Sequence, residues 1–234
     1  MHSISPVYLF ADSQLLFWKE NSQRFLKSVL NFVSEQQPCA AYIGAANGDQ
    51  PEFFQIFQSA MEDIGISDCR MIMSDFSADD QVFLDKASII LLAGGNVARG
   101  WKVIESTGMK EIILRRYSEG AVLIGVSAGA AHLGSTWLVS EDSDALLNML
   151  SIVPYVISSH EEKEGWVNLK KIMRLKGEEA RGIGMPFGTG MIYHPDHTLE
   201  PLRSELFEFA FINKKLTSNL LMPDPEEKQR DSIH

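Results

Sequence analysis

The residues with the clearest chemical potential stand in the stretch 122–132, VLIGVSAGAAH. Ser127 follows five largely apolar residues and is followed at once by small ones, a G-x-S-x-G pattern over Gly125, Ser127 and Gly129. Such a pattern builds a strained strand-to-helix turn that lifts a serine hydroxyl off a sheet. It needs tiny neighbours because strand and helix pass so closely. Gly125, Ala128, Gly129 and Ala130 supply them. The Ala128 amide would then lie at a helix N-terminus, where free N–H groups stabilise an oxyanion. The alternative is a structural Ser-Gly turn. A second stretch, LLAGGN at 91–96, ends another apolar run with Gly94 and Gly95 before a helical pattern. Glycines there let a backbone amide approach a ligand, so Gly95 or Asn96 could give a second oxyanion donor; Asn96 equally suits the cap of the next helix.

A serine nucleophile needs a general base, most often histidine. His2 and His234 are terminal, His132 leaves the serine on the following helical segment, and His194 and His197 sit in the polar YHPDH. His160 ends the apolar run 153–159, at the same carboxyl edge of the sheet as Ser127, and is the candidate base. Its alternative is a cap on the following helix.

These residues require a frame. Strand-like runs stand at 7–11, 40–44, 69–73, 88–93 and 122–126, and helical patterns at 19–36, 52–64, 78–87, 97–107 and 109–119. Near-continuous apolar strands alternating with helices imply parallel βαβ units. The fold class is therefore α/β, a doubly wound, mostly parallel sheet flanked by helices, with ligands bound beyond the carboxyl ends of its strands. Beyond Ser135 the pattern predicts a strand at 153–159 and a helix at 161–175. Strands at 181–187 and 190–194 follow as a small hairpin at one edge, and a last helix at 204–216. One domain is expected over 1–222, with a charged, disordered tail over 223–234.

A chain of 234 residues with 45% apolar and 22% charged residues suits one soluble domain. A net charge of -10 and a pI of about 5.1 argue against nucleic-acid or anionic-membrane partners. No apolar run approaches the ~20 residues of a membrane span, and the first residues lack the basic start of a signal peptide. Cys39 and Cys69 are too few for a disulfide framework and form no CxxC pair. The expectation is a cytoplasmic protein with no metal and no cofactor.

LLAGGN at 91–96 followed by IGVSAGA at 124–130 resembles the peptidase E family of aspartyl dipeptidase, cyanophycinase and relatives, from about Val7 to about Leu202. The resemblance implies a fold related to class I glutamine amidotransferases, Ser127 as nucleophile, His160 as base and a small peptide as substrate. An amidotransferase would carry cysteine at the elbow, so serine disfavours glutamine hydrolysis by thiolate. In the family an acidic residue after an apolar strand holds the histidine. The matching strand here is 182–188, and Phe187 stands where the acid is expected. The acid is then Glu162, two residues past His160 and on the same side of an extended chain, or Asp196 in YHPDH, or none. Glu161 and Glu162 in a helix's first turn would merely complement its dipole, and Asp196 after a proline also reads as a turn.

Two readings follow: a serine peptidase or amide hydrolase acting on a small peptide, and a catalytically weakened relative that binds a small ligand or protein partner in the same cleft. An amidotransferase-like domain serving another enzyme ranks below both, and a homodimer is left open. Arg99, Arg181 and Arg203 are cations without an assigned place. Glu141, Asp142 and Asp144 would repel an acidic substrate if they walled the cleft.

Overall fold

A computed structural model describes residues 4–20, 22–140 and 142–224. The chain opens with β1 (Val7–Phe10), then β2 (Lys19–Glu20) and β3 (Gln23–Arg24) as a minimal ribbon, and a 3-10 helix at Phe25–Phe32. Alternating units follow: β4 (Cys39–Ile43), α1 (Pro51–Asp63), β5 (Asp68–Ile72), α2 (Ala78–Lys86), β6 (Ile89–Leu92), α3 (Val97–Thr107), α4 (Met109–Ser118), β7 (Val122–Val126) and α5 (Ala128–Leu133). The remainder comprises β8 (Thr136–Leu138), β9 (Leu146–Asn148), β10 (Val156–Ser159), α6 (Val167–Lys176), β11 (Arg181–Met185), β12 (Gly190–Tyr193), β13 (Leu199–Leu202), β14 (Leu206–Ile212) and β15 (Lys215–Leu221).

The central sheet has the order β13-β12-β1-β7-β6-β4-β5. The five strands from β1 to β5 run parallel, while β12 and β13 are antiparallel additions at one side. Consecutive residues on these strands feed opposite faces, as the two-residue period of a strand requires. Leu9, Ile43, Leu92 and Leu123 pack with Trp101 and Ile113 on one face. Phe10, Tyr42, Leu91 and Ile124 pack with Leu26, Phe57 and Met61 on the other. Burial on both faces is why these strands read as unbroken apolar runs.

A second sheet, β10-β11-β14-β15, carries α6, whose Leu169, Ile172 and Met173 pack with Val156, Trp166 and Phe209 in a satellite core. Four expectations are corrected here. The helix over 19–36 is the β2–β3 ribbon followed by a short 3-10 helix. Lys19 pairs with Arg24, so the chain reverses before its apolar stripe, Phe25, Leu26 and Val29, is buried. The helix over 161–175 starts only at Val167, because Gly165 and Trp166 hold left-handed conformations, φ 66° and 63°. The strands at 181–187 and 190–194 form no hairpin: β11 lies in the second sheet and β12 in the first.

The helix over 204–216 is instead the hairpin β14–β15. Its FEFAF segment alternates with period two, and Asn213 and Lys214, at φ 51° and 65°, form a two-residue turn of the type that matches strand twist. The expected tail over 223–234 falls almost wholly outside the described residues. No helix of the described residues is long and apolar enough to cross a membrane.

Candidate active site

Ser127 joins β7 to α5 at φ 50° and ψ -108°, a sparsely populated conformation that costs about 1–3 kcal/mol. Its surroundings enforce it. The Ser127 N–H donates to the Phe10 carbonyl at 2.9 Å, extending the β1–β7 pairing, and the Ser127 carbonyl accepts from the Ala131 N–H at 3.1 Å, opening α5. The helix passes so close that a Cβ on Gly129 would sit 1.9 Å from the Leu92 carbonyl oxygen, and one on Gly125 would sit 2.7 Å from Ala130. The tiny neighbours are thus required by the crossing of helix and strand.

His160 ends β10 at φ 48°, with its N–H donating to the Met185 carbonyl at 2.9 Å. Its Nε2 lies 2.9 Å from the Ser127 Oγ. The expectation that both residues share one sheet edge is corrected: β10 belongs to the second sheet, and the packing of α5 on β10 brings the histidine to the serine.

The 94–95 loop runs beside the serine, where a Cβ on Gly94 would stand 3.4 Å from the Ser127 Cβ. Gly95 adopts φ 138°, and a Cβ there would meet the Ala46 oxygen at 2.2 Å, so only glycine fits. The amides of Gly95 and Ala128 have no acceptor among the described residues. Asn96 is committed elsewhere: its N–H donates to Ala46 at 2.9 Å, and its side-chain oxygen caps α3 by accepting from the Arg99 N–H at 2.8 Å. Of the two alternatives for a second oxyanion donor, the geometry leaves the Gly95 amide.

Among the described residues no carboxylate fills the third position of a triad beside His160. Among the described residues the histidine that meets a carboxylate is His194, 2.7 Å from Glu200 at the other edge of the sheet, while His160 meets none. The nearby acids bind main chain instead. Glu162 Oε1 accepts from the Phe187 N–H at 3.3 Å, and Asp12 Oδ2 accepts from the Gly188 N–H at 2.6 Å. Together they hold the turn that presents Phe187, whose ring centroid is 6.3 Å from that of His160 and whose surface is 57% exposed.

Asp196 lies at the wrong end of the sheet. β12 runs antiparallel to β1, pairing Gly190 with Phe10 and Tyr193 with Val7, so the turn after β12 is at the amino edge of the parallel strands. There Asp196 accepts from the Thr198 hydroxyl at 2.7 Å and the Thr198 N–H at 3.0 Å, bonds that hold its carboxyl below the usual range.

Other polar residues are structural. Glu161 accepts from the Ser158 hydroxyl at 2.6 Å and from the amides of Asn168 and Leu169 at 3.3 Å, capping α6 from outside the helix. His132 is fully buried, with Nε2 2.8 Å from the Val97 carbonyl, and desolvation lowers its pKa to about 4. Arg181 pairs with Glu208 at 3.1 Å and Asp144 with Lys171 at 3.2 Å. Asp142 is exposed, and Glu141 lies outside the described residues. Among the described residues no group of three His, Cys, Asp or Glu side chains gathers as a metal site.

Two cavities flank Ser127. One, of about 650 Å³, reaches from Ala128 to Ser158, Ser159 and Asn168 under Trp137 and Val139. The other, of about 410 Å³, contains His160, Gly94, Arg99 and a set of aromatic residues from β4 and α1. Sequence pattern alone singles out neither Asp12 nor these aromatic residues. For Asp12 the single signal is a carboxylate two residues past the carboxyl end of a buried strand.

Fold and site define a class: a doubly wound α/β protein with a serine–histidine pair at a strand-to-helix elbow. Residues 9–198 match peptidase family S51, and the chain belongs to that family. It is 25% identical over 103 residues to the uncharacterised peptidase YgaJ of Bacillus subtilis (strain 168), an alignment spanning 44% of this chain and 45% of that relative, less than half of its length. The crystal structure of a peptidase from an acI-B1 Actinobacterium superposes with a TM-score of 0.71 at 15% identity, covering 95% of this chain and 96% of the other. A structure described as a peptidase E protein from Listeria monocytogenes EGD-e gives a TM-score of 0.57 at 15% identity, over 94% and 100% of the two chains. At these identities the likeness is one of fold.

Proposed function

We propose that this protein is a serine-type peptidase or amide hydrolase acting on a small peptide. The 2.9 Å approach of the Ser127 Oγ to the His160 Nε2 at the strained elbow carries the reading. Ser127 attacks the amide carbonyl while His160 takes its proton and later gives it to the leaving amine. The amides of Gly95 and Ala128 receive the developing oxyanion. Glu162 acts as a positioning residue, steadying the turn that packs Phe187 against His160. No step calls for a metal or organic cofactor.

A pair without a carboxylate works more slowly: loss of the acid from a triad costs about 10⁴ in kcat and leaves nucleophile and oxyanion donors in place. Phe187 at the expected acid position therefore favours a second reading, a weakened relative that holds a small ligand in the same cleft. A fluorophosphonate, which phosphonylates activated serines, separates the two by intact mass. The hydrolase reading expects one adduct on Ser127, absent in Ser127→Ala and at least tenfold slower in His160→Ala. A folded protein that gains no adduct refutes it.

A further inference from the structure

The cavity of about 410 Å³ that contains Ser127 and His160 is built unlike a site for a charged group. Leu16, Tyr42, Phe57 and Leu91 are buried beneath it, and Phe53 and Ile56, both part-exposed hydrophobics, stand on α1 at its mouth. The polar atoms of the floor are already paired, since Asn47 Nδ2 donates to the Tyr42 hydroxyl at 2.7 Å. Desolvation pushes the Tyr42 hydroxyl up to about 12, so it stays neutral.

Two charges lie on the rim, and they are of opposite sign. Asp12 accepts from the Gly188 and Gln14 amides. Arg99 donates to the Ala46 carbonyl and lies along Gly48, with Nη1 3.5 Å from where a Cβ on that glycine would stand. An acidic side chain entering the cavity would lose its water and find one exposed, already engaged guanidinium, with the Asp12 carboxylate in the same lining. An ion pair at an exposed rim contributes little, whereas removing an aromatic ring from water contributes in proportion to its large area.

Resting on the hydrolase reading above, we infer that this cavity is a specificity pocket for a large apolar or aromatic side chain on a residue flanking the scissile amide. Its volume falls within the range of small-ligand pockets, and its continuity with Ser127 and His160 ties its occupant to the bond being cut. Discrimination follows from the lining: a phenyl ring displaces water from the exposed faces of Phe53 and Ile56 above the apolar floor, while an aspartate leaves a carboxylate desolvated against them.

Protection of Ser127 from the fluorophosphonate tests this and requires no identified substrate. Ala-Phe and Phe-Ala are set against Ala-Asp and Asp-Ala, reading initial adduct formation by intact mass. At least one phenylalanine dipeptide is expected to half-protect at a concentration about tenfold below both aspartate dipeptides. Phe53→Ser, at a half-exposed site that leaves the core untouched, is expected to reduce that ratio severalfold. Equal protection, no protection, or stronger protection by aspartate overturns the pocket while leaving the serine chemistry standing. Failure of the fluorophosphonate to label the wild-type protein removes the function and the inference together.

Discussion

A single methyl group on α5 should cost this protein both stability and reactivity. In Gly129→Ala the new Cβ would sit 1.9 Å from the Leu92 carbonyl oxygen, 2.5 Å from its carbon and 2.9 Å from the Leu92 Cβ. Ordinary contact begins at 3.4 Å, so strand and helix must separate by about 1.5 Å. Neither can move freely: Leu92 belongs to a fully buried strand paired on both sides, and α5 is buried along its length. Overpacking of this kind costs about 1–3 kcal/mol, and the upper end applies because the clash is with backbone. The displacement is transmitted to Ser127, two residues earlier, whose Oγ must stay 2.9 Å from the His160 Nε2. A misplacement of about 1 Å costs about 10² in rate. Urea unfolding should show a loss of about 3 kcal/mol, and fluorophosphonate labelling of the folded fraction should slow about 100-fold. A Gly129→Ala protein with wild-type stability and wild-type labelling would refute the claim that the helix–strand crossing dictates the elbow.

Further outcomes follow from the same geometry. The buried His132 has a folded pKa of about 4 against 6.5 unfolded, so the unfolded chain binds the extra proton. Its contribution is fully present above pH 6.5 and is lost as pH falls toward 4. Relative to a His132→Gln variant, wild-type stability should drop by about 2 kcal/mol between pH 7 and pH 5, read from urea midpoints at each pH. Phe187→Glu places a carboxylate on a turn already fixed beside His160 and should raise the labelling rate at least tenfold, since a triad acid is worth up to about 10⁴. The half-exposed site predicts little change in stability; an unchanged rate would show that position 187 cannot serve the histidine. Glu161→Ala strips the α6 cap of a charge-assisted acceptor, and urea unfolding should show a loss of about 2 kcal/mol. A loss below about 0.5 kcal/mol would mean that water replaces the carboxylate.

Much of the frame was legible in local pattern. The runs that became β1, β4, β6 and β7 are apolar because both faces of those strands are buried, and that signal is carried by each run without reference to distant residues. The elbow was legible too: Gly125 answers a steric demand inside the strand-to-helix turn, where its Cβ would lie 2.7 Å from Ala130. The demand on Gly129 comes instead from Leu92 on the neighbouring β6 and shows in the sequence only as part of the G-x-S-x-G pattern. Segment 204–216 misled because its aromatic residues satisfy a helical stripe and a strand alternation at once. The choice fell to the partners at hand: the edge of β11 and the reversal at Asn213–Lys214.

The sequence by itself therefore determined a doubly wound α/β core, a serine lifted at its centre and a histidine of the right kind further along. Tertiary structure alone decided how the two meet, because His160 reaches Ser127 through the packing of a second sheet on α5, a contact that no local period encodes. It also decided what became of the acids. Glu162 and Asp12 stand near the site, yet one oxygen of each accepts from an amide, that of Phe187 or Gly188, and the second Glu162 oxygen is buried without a hydrogen-bond partner among the described residues. A carboxylate's partner depends on which donors the folded chain brings within about 3 Å, and only the folded chain selects them.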